Sequence, residues 1–100
     1  MLWTTIRRRI TERPDGSYTA RLVDGGVDVV GRKVTEEATE VLLAARDDAE
    51  AQRTSASRDG TRRALAEESA DLLYHLLVLT AERDLSPGEI MAVLRSRHGT

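Results

Sequence analysis

Six acidic residues in two short runs are the part of this sequence best suited to chemistry. Glu36, Glu37 and Glu40 form the first run, and Glu67, Glu68 and Asp71 repeat its spacing farther along. Successive residues of an α-helix turn by about 100°, so each trio falls within an arc of about 100°. Each arc borders the apolar face of its segment. If the two segments pack side by side, the carboxylates converge at the edge of one groove. Like charges four residues apart cost about 0.2–0.5 kcal/mol even in solvent, and approach of a second cluster raises that cost. Arg32, Lys33 and Arg63 offset part of it. A bound cation offsets more. With oxygen donors and no cysteine in the chain, Mg²⁺ or Mn²⁺ is favoured over Zn²⁺. The alternative is a solvated, salt-bridged helix surface. A carboxylate-held Mg²⁺ with open positions suits phosphate chemistry: it neutralises anhydride oxygens, orients the phosphates and activates a water. A carboxylate outside the metal's own ligands can take the proton.

Helices are the elements that have to position these runs. From Val27 to about Arg46 the apolar residues Val30, Val34, Ala38, Val41, Leu42 and Ala45 share one helical face. A second long helix is predicted from Thr61 to about Arg83, with Leu65, Leu72, Leu76 and Leu79 on its core face. Between them, residues 47–60 are polar, rich in Ser, Arg and Asp, and aperiodic, which predicts a flexible connection. Shorter helices flank the pair. Trp3, Ile6 and Ile10 have helical spacing, with Arg7, Arg8 and Arg9 on the solvated side. Pro14-Asp15-Gly16 marks a turn, and a short helix over Ser17 to Val23 is closed by Asp24-Gly25-Gly26. Ser86-Pro87-Gly88-Glu89 is a capping box with proline at the first helical position, and it opens a last helix carrying Ile90, Val93 and Leu94.

The reading is therefore an all-α fold: two long antiparallel helices plus short flanking helices, in a single domain over residues 1–100. A chain of 100 residues buries a limited core, so a homodimer is expected to complete the helical bundle. The core has to be aliphatic, because Trp3, Tyr18 and Tyr74 are the only aromatic residues. A net charge of -2 gives no basic field for nucleic acid. The longest apolar stretch, around Leu72 to Ala81, is too short to span a bilayer, and the first residues lack a signal pattern, so a cytoplasmic protein without a membrane partner is expected.

Three segments carry a resemblance to a known family. Lys33-Val34-Thr35-Glu36-Glu37-Ala38-Thr39-Glu40-Val41 resembles the first motif of the phosphoribosyl-ATP pyrophosphohydrolases, and the run from Glu68 through Asp71-Leu72-Leu73-Tyr74-His75 to Leu79 resembles their second. Ser17-Tyr18-Thr19-Ala20-Arg21-Leu22 resembles the segment this family carries ahead of its long helices. The ExxE and ExxD pair alone is shared with the wider MazG-like, all-α nucleotide pyrophosphatases; the other two stretches are narrower. The resemblance implies Mg²⁺-dependent hydrolysis of 1-(5-phosphoribosyl)-ATP to 1-(5-phosphoribosyl)-AMP and pyrophosphate, the second step of histidine biosynthesis. It implies metal ligands at Glu37, Glu40, Glu68 and Asp71, with Glu36 and Glu67 as catalytic candidates in an outer-shell or proton-accepting role. Substrate contacts are expected from Ser17, Tyr18, Thr19, Arg21 and Lys33. Thr35 departs from the glycine common in the family, which bears on local packing.

For several of these residues a plainer reading competes. Lys33 can bind phosphate or simply pair with Glu37; Tyr18 can meet ribose or pack in the core. His75, four residues after Asp71, is read as a supporting hydrogen-bond partner of Asp71 and not as a ligand. Two rival functions remain open on the sequence: a house-cleaning pyrophosphatase acting on NTPs or dNTPs, and a non-enzymatic helical dimerisation module.

Overall fold

The computed structural model describes residues 2–12 and 16–99. Its described residues form five helices: α1 (Leu2–Glu12), α2 (Tyr18–Asp24), α3 (Val27–Arg53), α4 (Asp59–Glu82) and α5 (Pro87–His98). The expected all-α class is what the chain adopts. The predicted turn at Pro14-Asp15 lies outside the described residues. The chain divides into two compact units, one comprising residues 1–30 and 77–100, the other Gly31–Leu76.

The first unit has a small aliphatic core. Ile6, Val30, Val78 and Thr19 are fully buried, joined by Ala20, Leu22, Val23 and Ala81. Helix α2 is short and depends on its caps. The Ser17 hydroxyl accepts from the Ala20 N–H at 3.2 Å, satisfying one of the amides left open by the first turn. At its far end Gly26 adopts φ +87°, a conformation costly for other residues, and a Cβ on Gly25 would lie 2.9 Å from the Val29 side chain. Arg7 ties α1 to the end of α4, donating to the Ala81 carbonyl at 3.2 Å and the Asp84 carboxylate at 2.7 Å. The capping box of α5 forms as expected: Glu89 N–H donates to the Ser86 hydroxyl, and the Glu89 carboxylate accepts from the Ser86 N–H.

The second unit is the α3–α4 hairpin. Among the buried and half-buried positions, Val34, Glu37, Val41, Ala44, Asp48 and Ala51 on α3 and Thr61, Leu65, Glu68, Leu72 and His75 on α4 form one row each, with Ala45 and Leu76 half-buried beside them as expected. Both sets follow the alternating three- and four-residue spacing of a helix–helix seam. Glu37 meets Glu68 and Asp71, whereas Asp48 meets Thr61, so the helices run antiparallel. Leu42 falls outside this seam and is 57 % exposed, as are Leu43 and Leu73 at 47 % and 60 %. The apolar face expected to include Ala38 and Leu42 is thus rotated in the structure toward Glu37, Ala44 and Asp48.

The expected connection over 47–60 is corrected in the same unit. Helix α3 continues to Arg53 and α4 starts at Asp59, leaving only residues 54–58 between them. Ala49, Glu50, Ala51, Gln52 and Arg53 are good helix formers, and Asp48 and Ala51 prolong the seam. The helix ends at Ser55, which takes φ 59°; Ser55 N–H donates to the Gln52 carbonyl at 3.2 Å and Ala56 N–H to the Ala51 carbonyl at 2.8 Å. That is a Schellman closure made without glycine. Asp84 and Leu85 close α4 by the same pattern, with Asp84 at φ 59°.

Candidate metal centre

Two seam positions that would ordinarily be apolar, Glu37 on α3 and Glu68 on α4, bring carboxylates toward each other. With Asp71, one turn beyond Glu68, each offers an oxygen, and the three oxygens lie within 4.8 Å of one another. Glu37 is the most enclosed, with its side chain 13 % exposed. Burial pushes the Glu68 carboxyl above its ordinary range, and the like charges of Asp71, Glu37, Glu40 and Glu67 push it further. Glu40 is therefore close enough to act on Glu68 electrostatically, although it stands outside the tight trio.

The neighbouring charges are arranged unequally. The Lys33 ammonium lies 3.5 Å from Glu37 and 3.6 Å from Glu36. Arg63 pairs with Glu67 at 3.1 Å on an open surface. Glu36 and Glu67 thus flank the trio as exposed carboxylates, each held by a basic residue of its own helix. His75 is buried, and its Nδ1 sits 2.7 Å from the backbone carbonyl of Asp71. A carbonyl only accepts, so Nδ1 carries the proton. The Asp71 backbone carbonyl thus accepts from the imidazole.

The remaining predicted substrate residues belong to the first unit. The Ser17 hydroxyl is engaged at the α2 cap, and Thr19 is fully buried. Tyr18 and Arg21 are exposed; the Arg21 guanidinium donates to the Gly16 carbonyl at 3.0 Å and lies 5.9 Å from the centre of the Tyr18 ring.

Sequence reasoning missed a second polar cluster in the hairpin. Asp48 is buried and accepts from the Arg58 guanidinium at 2.6 and 3.1 Å and from the Thr61 hydroxyl at 2.8 Å. These bonds hold its carboxyl down at about 2. The signal that could have found it is the seam spacing, which places Asp48 four residues after Ala44.

Three hard oxygen donors from two helices, one of them kept from ionising easily by burial and like charge, fit a hard divalent cation. The fold and the site define an all-α protein with a carboxylate cluster set in the seam of a helical hairpin. Among known proteins, the phosphoribosyl-ATP pyrophosphohydrolase family matches residues 2–98. A phosphoribosyl-ATP pyrophosphatase of Rhodopirellula baltica is 43 % identical over 99 % of this chain and 75 % of its own length. One from Pelotomaculum thermopropionicum is also 43 % identical, over 96 % of this chain and 86 % of its own. A histidine biosynthesis bifunctional protein of Deinococcus radiodurans is 44 % identical over 98 % of this chain, which spans 39 % of that longer protein. The chain belongs to the phosphoribosyl-ATP pyrophosphohydrolase family and is a hydrolase.

Proposed function

We propose that this enzyme hydrolyses 1-(5-phosphoribosyl)-ATP to 1-(5-phosphoribosyl)-AMP and pyrophosphate with Mg²⁺, as the second step of histidine biosynthesis. The observation that carries the reading is the convergence of Glu37, Glu68 and Asp71 within 4.8 Å from two antiparallel helices. Family membership over residues 2–98 supports the choice of substrate and the proposal of a single domain over residues 1–100.

In this reading Glu37, Glu40, Glu68 and Asp71 hold the metal. Mg²⁺ supplies positive charge to the anhydride oxygens and lowers the cost of deprotonating a water. Glu36 and Glu67 lie outside the trio and are exposed, which suits a carboxylate that accepts a proton and releases it to solvent. His75 fixes the Asp71 turn through its backbone carbonyl. Lys33, Tyr18 and Arg21 are the proposed substrate contacts, because their side chains are at least partly exposed and carry charge or a hydroxyl. Ser17 and Thr19 support that segment by capping α2 and filling the core. Leu42, Leu43 and Leu73 are the exposed apolar side chains of the hairpin that a second copy covers in the proposed homodimer. Light scattering at micromolar concentration is expected to give twice the chain mass. Among the described residues no helix is long and apolar enough to cross a membrane, in keeping with the proposed cytoplasmic location.

The test is product analysis. Purified protein with Mg²⁺ should release pyrophosphate from phosphoribosyl-ATP, and EDTA should stop it. Release of orthophosphate alone contradicts the assignment. Faster turnover of common NTPs or dNTPs in parallel reactions replaces it with the house-cleaning activity.

A further inference from the structure

We infer that Lys33 is a built-in counter-ion of the carboxylate cluster: its ammonium neutralises Glu37 in the metal-free protein and competes with a divalent cation for that carboxylate. The inference rests on the metal reading above and adds a residue that tunes it. Lys33 is the single lysine of the chain. Its Nζ lies 3.5 Å from Glu37 Oε1 and 3.6 Å from Glu36 Oε2, shared between one member of the trio and one flanking carboxylate. The basic residue that pairs with the second acidic run behaves differently. Arg63 reaches Glu67, outside the trio, with both side chains more than half exposed.

The chemistry of the group matters here. An ammonium is a compact point charge on a flexible stem, and it can leave a carboxylate by rotating about single bonds. It is held at ion-pair distance by two oxygens, without the bidentate fork a guanidinium makes. Glu37 is mostly enclosed, so loss of its partner leaves a charge poorly screened by solvent and surrounded by Glu68 and Asp71. In the absence of metal, Lys33 therefore lowers the repulsion that the gathered carboxylates create. A divalent cation held by Glu37, Glu68 and Asp71 would sit close to the ammonium, and the two positive charges would repel. Lys33 thus stabilises the metal-free fold at the expense of metal affinity.

The experiment measures Mg²⁺ binding by calorimetry at fixed ionic strength, beside thermal melts in EDTA and in saturating Mg²⁺. The proteins are wild type, Lys33→Met, Lys33→Gln, Lys33→Arg and Arg32→Met. Removing the ammonium should tighten Mg²⁺ binding about tenfold, because a full positive charge at contact distance is lost. Both neutral Lys33 variants should melt below wild type in EDTA, and the gap should close in saturating Mg²⁺. Lys33→Arg keeps the charge and should stay near wild type. Arg32→Met removes an exposed charge from the adjacent position and should change the affinity less than about twofold. Unchanged or weaker binding in both neutral Lys33 variants overturns the inference, and so does an Arg32→Met effect as large as theirs. Absence of Mg²⁺ binding by the wild type overturns the metal reading and this inference together. Wild-type binding without tightening in the variants overturns this inference alone.

Discussion

The α3–α4 hairpin holds two groups of carboxylates, and they are compensated in opposite ways; Asp48 and Glu37 are enclosed, whereas Asp71 is exposed. Toward the connection, Asp48 is met by Arg58 and Thr61 of the same chain, and its carboxyl is held down at about 2. Farther along the seam, Glu68 is met by Glu37 and Asp71, and its carboxyl is pushed up by burial and like charge. One group is satisfied by the fold; the other is assembled at the fold's expense. A carboxylate already paired with its own chain closes a structure. Carboxylates gathered against each other are a store of unfavourable energy that a bound cation relieves, which is the usual trade of stability for function at a working site.

The sharpest way to break this contrast is to neutralise one member of each group. Glu68→Gln or Asp71→Asn should lower pyrophosphate release by on the order of a hundredfold or more, because the cation loses a ligand. In EDTA the same variants should melt level with wild type or slightly above it. In Mg²⁺ they should gain much less than the wild type, whose folded state is the one proposed to bind the ion. A wild type indifferent to Mg²⁺, or an Asp71→Asn protein melting well below it in EDTA, would place the trio with the structural carboxylates.

Asp48→Ala should behave as the mirror image. It leaves Arg58 and Thr61 without their buried partner, and the melting temperature should fall by roughly 10 °C. The protein that remains folded should keep its stabilisation by Mg²⁺, since the trio is untouched. An Asp48→Ala protein that melts like wild type but no longer responds to Mg²⁺ would reverse the two assignments.

The smallest effect is the pH dependence, and the two groups have opposite signs. The folded carboxyl of Asp48 lies below its unfolded value, so its contribution is full above about pH 4 and is lost as pH falls toward about 2. The folded carboxyl of Glu68 is raised, so folding is favoured while it stays protonated, and this advantage is lost as pH rises through its folded value. Melts in EDTA, compared between wild type and Glu68→Gln, should therefore diverge upward from the acidic side of the carboxylate range, the variant gaining as Glu68 ionises. Parallel curves for the two proteins would show that Glu68 carries no such load. Asp48→Ala should instead flatten the acid limb below about pH 4.

Much of the site is legible in the amino-acid sequence. The repeated acidic spacing, the helical periodicity around it and the Ser86–Glu89 capping box are local signals, and local signals survive in a linear chain. The family resemblance rests on the same stretches. The hairpin connection is legible only in part. Residues 47–60 look polar because their outward positions are polar, while Asp48 sits inward with its charge answered by Arg58. The end of α3 carries no glycine; Ser55 takes the left-handed position instead, and nothing in its type announces that.

What the sequence by itself determined was the inventory: five helices of mainly aliphatic core, two acidic arcs, and the phosphoribosyl-ATP pyrophosphohydrolase motifs. A helical period gives the angle between residues of one helix and says nothing about the rotation of that helix against another. Tertiary packing decided that rotation, and with it which carboxylates meet. Glu37, Glu68 and Asp71 converge, whereas Glu36 and Glu67, their sequence neighbours, stay exposed outside the trio; Lys33 bridges Glu36 and Glu37, and Arg63 pairs with Glu67. The seam turned Ala44 and Asp48 inward and left Leu42 and Leu43 outside, a choice hydropathy alone would have made the other way. It could do so because Arg58 and Thr61 arrive from the second helix and the turn before it to satisfy Asp48, and no single segment of the chain contains that pairing.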